Sequence, residues 1–279
     1  MAVEPSDIAA ANGVELIGRL PHGEGTGAYE VRRADGTSAV LKLFTGDVFD
    51  LGGSTELTDA LRARGYPAPM IDTAGVVDGV RYEIQQRMPG EPLEQATSDR
   101  VGPLRELIQL QRDVGLPGRG PWLDDMVSSV VDGCTGYCEH AAMIDHSDET
   151  RTMLERLRRI ADQARGVAIS DADVVHYDFS PYNVLVVGDR ITGVVDWDGA
   201  TSGDAAFDLV TLAAFTYDYS VRDELLAVAA TLTEPRALAL YAAHMVLRQV
   251  DWSLRNHGET EVAWFMGIGT DLLAAVNAD

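Results

Sequence analysis

The side chains best suited to chemistry lie in one stretch, His176-Tyr177-Asp178-Phe179-Ser180-Pro181-Tyr182-Asn183, followed by Asp196-Trp197-Asp198. Asn183 stands five residues after Asp178, and Asp196 thirteen after Asn183. An amide oxygen and a carboxylate are hard ligands suited to Mg2+, which keeps several waters and bridges phosphates. Asp178, at the start of the loop, would then face a hydroxyl and take its proton. An aspartate, an asparagine and a second aspartate in this order serve phosphoryl transfer. The same residue types also make ordinary turns. What raises this instance is its flanks: Asp173-Val174-Val175 enters as an apolar run, and Val184–Val187 leaves as another.

Lys42 is the second element and the only lysine of the chain. It sits in Ala39–Phe44, whose alternation puts Val40 and Lys42 on one face. A compact ammonium on a flexible stem suits the α- and β-phosphates of a nucleotide, ATP or GTP. Such a lysine needs an acid to fix it, and Glu56 in the following helix is the candidate, with Asp59 one turn later as the alternative. The third element is His22–Gly27, where Gly23, Gly25 and Gly27 let backbone amides approach phosphates. It is not a Walker A motif, because no Gly-Lys-Ser/Thr follows.

These groups need a scaffold. Val14–Leu20, Gly27–Arg33, Ser38–Phe44 and Arg81–Met88 read as strands, with turn signals at Pro21–Gly25 and Asp35-Gly36. A helix is expected from Ser54 to Arg64, closed by Gly65. Met88-Pro89-Gly90-Glu91-Pro92 is the hinge signal, dividing residues 1–88 from 89–279. Beyond it, helical spacing covers Arg100–Val114, Trp122–Met143, Asp148–Arg165, Arg222–Thr231, Pro235–His257 and Glu261–Val276. Val184–Val187 and Ile191–Val195 interrupt it as a hairpin around Gly188-Asp189.

Hydrophobic residues are 46% of the chain and charged residues 24%, as in an ordinary globular protein. The N-terminus has no basic region followed by an apolar one, and no apolar run is long enough to span a bilayer, so a cytoplasmic protein is expected. Cys134 and Cys138 read as small buried thiols, with a metal site involving His140 as the lesser alternative. The net charge of −22 repels nucleic acid and anionic membranes. It fits a polycationic substrate, and fits salt adaptation or solubility equally well.

Taken together, the chain resembles the aminoglycoside phosphotransferase family over nearly its whole length. The anchors are Val175–Leu185 and Val195–Asp204 through Asp208-Leu209, with Gln86–Leu93 similar to the family's hinge and linker. The resemblance implies an α+β, two-lobed protein-kinase-like fold: a small β-rich lobe with one helix, and a larger helical lobe carrying the catalytic loop and hairpin. It implies Asp178 as catalytic residue and Asn183 and Asp196 as Mg2+ ligands. Lys42 would bind phosphates, paired with Glu56; His176 would support the loop, and Gln86 and Met88 would border the nucleotide. The family usually has glycine where Tyr177 stands, so the loop is expected either to be relaxed there or to use the ring near the substrate. Asp204 and Asp208 are expected to buttress the helical lobe.

The family's acceptors include aminoglycosides, macrolides, tuberactinomycin peptides, choline, homoserine and sugars. Acidic–aromatic neighbours suit ammonium groups. Asp198 with Trp197, Asp218, Asp251 with Trp252, and Glu261 are the candidate substrate contacts, with Asp124 and Asp125 also considered. The expectation is a cationic small molecule, an aminoglycoside or tuberactinomycin peptide, phosphorylated by a monomer that has no nucleic-acid or membrane partner. The alternatives are a metabolic kinase for choline, a sugar or homoserine, or a silent kinase-shaped binding protein.

Overall fold

The computed structural model describes residues 4–20, 27–44, 52–116 and 121–278. In chain order the elements begin with α1 (Pro5–Ala11), β1 (Glu15–Arg19), β2 (Gly27–Arg32), β3 (Ser38–Phe44), α2 (Gly52–Ala63), β4 (Ile71–Val77), β5 (Val80–Gln86) and β6 (Glu91–Pro92). There follow α3 (Ser98–Gln111), α4 (Trp122–Val131), α5 (His140–His146), α6 (Asp148–Gln163), β7 (Asp173–Val175), β8 (Val184–Val187) and β9 (Arg190–Val194). The last are β10 (Thr201–Gly203), α7 (Ala206–Ala214), α8 (Tyr219–Ala230), α9 (Pro235–Asn256) and α10 (Glu259–Ala275). Contacts group these into two compact units, residues 1–92 with 184–199 and residues 93–183 with 200–279.

The first unit is built on an antiparallel sheet of order β1-β2-β3-β5-β4. Alternation along β3 sends Ala39, Leu41 and Leu43 into an apolar cluster with Ile8 and Ala9 of α1, Val31 and Ile84. The opposite face of β3 carries Lys42. β4 and β5 join through Asp78-Gly79, both at positive φ (48° and 83°), as a tight primed hairpin turn needs. Among its described residues this unit holds two α-helices where one is expected; α1 is too short to leave a periodic signal. The hairpin β8–β9 groups with it because β8 also pairs with β6.

The second unit is mostly helical, with the short pair β7–β10 at its centre. Two expectations change here. The helix expected over Trp122–Met143 ends at Val131, because Gly133 and Gly136 (φ 82° and 89°) and Cys138 (φ 54°) turn the chain out of helical geometry. α7 is buried along its whole length, so it has no polar face to reveal it by period.

Trp122 packs edge-on against Phe207 and near Tyr241, whose hydroxyl accepts from the indole N–H at 3.1 Å. A Cβ at Gly203 would lie 2.5–2.8 Å from the Trp122 ring. Gly203→Ala should therefore lower stability by about 1–3 kcal/mol through overpacking, read as a lower urea midpoint at unchanged slope.

Candidate active site

The catalytic loop leaves β7 and is anchored from below. Asp208, fully buried on α7, accepts from the backbone N–H of His176 (2.8 Å) and Tyr177 (3.0 Å) and from Gln111 Nε2 (2.6 Å). Burial pushes its carboxyl up to about 7, against the pull of those three donors toward the anion. Asp204 accepts from the Tyr241 hydroxyl (2.9 Å), the Ala206 N–H and the Thr233 hydroxyl. Both aspartates are buttresses, as expected of them.

The loop is not relaxed at Tyr177. The residue sits at φ 75°, a left-handed conformation that costs a non-glycine residue of order 1–3 kcal/mol. The surroundings fix it there. Asp208 holds its N–H, and Arg248 of α9 donates through Nη1 to its carbonyl at 3.0 Å. The ring lies among Trp122, Phe207, Tyr137 and His244. Its hydroxyl meets Tyr137 (3.1 Å) and His244 Nε2 (3.2 Å). Ser129 donates its proton to the Met126 carbonyl and so receives one from His244 Nδ1, 2.8 Å away. Of the two expectations for this tyrosine, the relaxed loop is wrong: hydrogen bonds on both sides of the residue hold the strained backbone.

Asp178 follows with its side chain 38% exposed. Arg248 Nη2 donates to its Oδ1 at 2.9 Å, and Asn183 Nδ2 to its Oδ2 at 3.1 Å and its carbonyl at 2.7 Å. His176 is buried and accepts the Asp178 N–H at Nδ1, 3.3 Å away. Asn183 closes the loop in a 3-10 turn over Pro181–Asn183. Its amide nitrogen is committed to Asp178, which leaves the amide oxygen as the free acceptor type for a cation. Arg248 carried no sequence signal, being one arginine among many, seventy residues away.

In the first unit, Lys42 is 7% exposed and donates to Asp196 (2.6 Å) and to both oxygens of Asp198 (2.7 Å each), with the Phe44 ring 5.4 Å away. Burial alone would lower the lysine's pKa, but the two carboxylates raise it above its ordinary value. Burial is also the main reason Asp198 is pushed up to about 7, with Lys42 opposing and Asp196 adding to the rise. Glu83, buried on β5 directly across from Lys42, is raised by burial too. Asp196 has φ 70°.

Glu56 is a correction. Leu57, Thr58 and Leu61 form the buried face of α2, which leaves Glu56 and Asp59 on the exposed face; the acids on Lys42 are Asp196 and Asp198. Asp198 is thus a partner of Lys42, with its side chain 21% exposed. Trp197 is buried, with its indole N–H on the Val194 carbonyl and its ring edge-on to Tyr66. Asp251 is buried and takes both ends of Arg255. Asp218 caps α8 through the N–H groups of Ser220 and Val221. Trp252 and Glu261 are exposed.

Gly27 opens β2, while Gly23 and Gly25 lie outside the described residues. Gln86 ends β5, and its N–H donates to the Met70 carbonyl at 2.7 Å; Met88 is half-buried near Gly193. Cys138 is buried, Cys134 half-buried, and both thiols are free. His140 has both ring nitrogens engaged, by the Val130 carbonyl and Arg158. Among the described residues no group of three or more His, Cys, Asp or Glu is set to hold a metal, and no helix is long and apolar enough to cross a membrane.

Residues 17–241 match the phosphotransferase enzyme family, APH. The chain belongs to that family, and it is a phosphotransferase of two-lobed, kinase-like fold. No curated protein sequence matches it. Among solved structures it is similar to a thermostable mutant of aminoglycoside phosphotransferase APH(4)-Ia in ternary complex with ADP and hygromycin B: 20% identity, TM-score 0.70, 99% of each chain covered. It is similar also to the amicoumacin kinase hAmiN in complex with AMP-PNP and Ca2+ (14%, TM-score 0.64, 97% and 94% covered). A third is the macrolide 2'-phosphotransferase MphH from Brachybacterium faecium (17%, TM-score 0.57, 98% and 97% covered).

Neutral His244 inside the second unit sets a pH dependence of stability. Burial first, then Arg248, lower its pKa from 6.5 to about 3. A depressed pKa means stability is fully present above 6.5 and is lost as pH falls toward 3, by up to about 1.4 kcal/mol per pH unit. Urea unfolding of His244→Gln should show a shallower loss than wild type between pH 6.5 and 4; parallel curves would contradict the assignment.

Proposed function

We propose that this phosphotransferase moves the γ-phosphate of ATP or GTP to a hydroxyl of a small cationic acceptor, an antibiotic of the aminoglycoside or tuberactinomycin type. Residues 1–88 serve the nucleotide, and residues 89–279 serve catalysis and the acceptor. The observation that carries the reading is Asp178 itself: a partly open carboxylate, oriented at both oxygens, in a loop whose strained backbone is held in place.

Asp178 orients the acceptor hydroxyl and takes its proton late in an in-line transfer. Lys42 holds the donor phosphates as a point charge, trading one of its carboxylates for phosphate oxygen. Asn183, through its amide oxygen, and Asp196 fit Mg2+ by donor chemistry, and the ion when bound neutralises charge on the phosphates. The glycines at 23, 25 and 27 cover the phosphates, and Gln86 and Met88 border the base.

Support for a cationic acceptor comes from an aromatic run in the helical unit. Tyr217 meets Trp264 (4.9 Å), Trp264 meets Phe265 (4.9 Å), Phe265 stacks on His257 (5.8 Å), and His257 meets Trp252 (4.7 Å). Tyr217, Trp252 and Trp264 are exposed, and so are the acids Asp218 and Glu261. Ring faces next to carboxylates suit ammonium groups. The solved structures with hygromycin B and with amicoumacin bound support a small-molecule acceptor. A second reading is a metabolic kinase for a sugar, homoserine or choline; the Arg248 guanidinium beside Asp178 favours, within it, a neutral acceptor such as a sugar. The protein is proposed to act as a cytoplasmic monomer.

The test is nucleotide consumption with Mg2+ across aminoglycosides, viomycin, capreomycin, macrolides, choline and sugars. Turnover with a cationic antibiotic is expected, and turnover with sugars alone would move the assignment to the second reading. Asp178→Asn should lower kcat by about 10³-fold or more while nucleotide affinity stays near wild type. Asp196→Ala should instead abolish Mg2+-dependent nucleotide binding by calorimetry, and unchanged affinity would remove the metal assignment.

A further inference from the structure

We propose that Arg248 is a positioning residue for the catalytic carboxylate, an inference that rests on the reading of Asp178 as the base. The guanidinium makes three contacts with consecutive loop residues. Nη2 donates to Asp178 Oδ1 at 2.9 Å, Nη1 donates to the Tyr177 carbonyl at 3.0 Å, and the group lies 5.5 Å from the centre of the Tyr177 ring. A planar fork with donors on separate nitrogens can satisfy a carboxylate and a carbonyl at once; an ammonium lacks that fixed geometry. With Asn183 Nδ2 on the other carboxylate oxygen at 3.1 Å, rotation of the Asp178 carboxylate breaks one bond or the other. Each oxygen still has a lone pair for the acceptor hydroxyl.

The same arginine completes the hold on the left-handed residue. Asp208 takes the Tyr177 N–H and Arg248 takes its carbonyl, so the peptide groups on both sides of the strained φ are engaged. On α9, Tyr241, His244 and Arg248 follow at spacings of three and four, which places them on one face. His244 meets the Tyr177 hydroxyl, and Arg248 meets the Tyr177 carbonyl and the Asp178 carboxylate. One helical face thus sets the ring, the backbone and the base. A displacement of the reacting group by about 1 Å can cost 10²-fold in rate, the scale on which a positioning residue acts.

The experiment compares Arg248→Met, Arg248→Lys and Arg248→Gly with wild type, using Mg2+-ATP with the best acceptor of the panel or with water as acceptor. Arg248→Met should lower kcat by about 10²-fold with nucleotide KM within about twofold, and Arg248→Lys should restore little of it. Added guanidinium should raise kcat of Arg248→Gly by about tenfold or more, a rescue that a purely structural role would not give. Hydrogen exchange of the peptide spanning 173–183 should quicken in Arg248→Met and be independent of any acceptor. A kcat for Arg248→Met within about threefold of wild type, no rescue by guanidinium, or unchanged exchange would each overturn the proposal. Asp178→Asn separates the two readings. If it stays fully active, the base assignment itself fails; if it is inactive while Arg248→Met is active, only the role of Arg248 fails.

Discussion

The catalytic loop depends on one buried carboxylate. Asp208 receives two consecutive backbone N–H groups and a glutamine amide, three donors that only an acceptor-only group with several lone pairs can take together. Without it, the buried N–H of His176 would be left unpaired at about 1–3 kcal/mol, and the part-buried N–H of Tyr177 would lose its partner as well. Those two bonds also fix where the chain turns. They hold His176 and Tyr177 in the one conformation from which Asp178 emerges partly open, and from which Asn183 reaches back to both the carbonyl and carboxylate of Asp178. The cost of burying the Asp208 charge is visible in its raised pKa, and the hydrogen bonds offset it.

Charge is handled differently around Lys42. Here a desolvated ammonium is matched by two aspartates two residues apart, and a third acid, Glu83, stands across the sheet. Coulomb attraction in this partly dry setting exceeds the burial penalty for the lysine, which stays charged. For Asp198 the balance falls the other way, because it bears the neighbouring Asp196 charge as well as burial. The partner of Lys42 is set by helical phase. With Leu57 and Leu61 packed inward, Glu56 lies about 100° round the helix from Leu57 and faces out.

Legibility of the sequence follows the range of the interactions. The strand Ser38–Phe44 and the hairpin around Gly188-Asp189 are local and are read close to their true positions, whereas β4 and its Asp78-Gly79 turn are not. The loop residues Asp178 and Asn183 and the buttresses Asp204 and Asp208 stand out by spacing and by motif. What escapes is fixed by tertiary contact. α7, buried all round, has no amphipathic period, and the break after Val131 depends on left-handed residues including the non-glycine Cys138. Arg248 gains its place only when α9 folds against the loop. The structural work of Asp218 and Asp251, as a helix cap and as an i,i+4 partner of arginine, is likewise visible only once the helices are in place.

Tyr177 shows how a residue unsuited to its backbone can still be retained. Glycine would adopt φ 75° freely, yet would leave the space between Trp122, Phe207 and His244 unfilled and remove the hydroxyl between Tyr137 and His244. The tyrosine exchanges backbone ease for a side chain that joins the loop to α9, and α9 in turn supplies the guanidinium on Asp178. The Asp178 carboxylate is in direct contact with the Arg248 guanidinium, while the net charge of −22 is spread over the whole chain. Exposed charges more than a Debye length away, about 10 Å at 0.1 M salt, are largely screened, whereas a guanidinium in contact is not. Bulk acidity draws cations toward the protein, whereas the position of the Asp178 carboxylate is set by contact with Arg248 and Asn183.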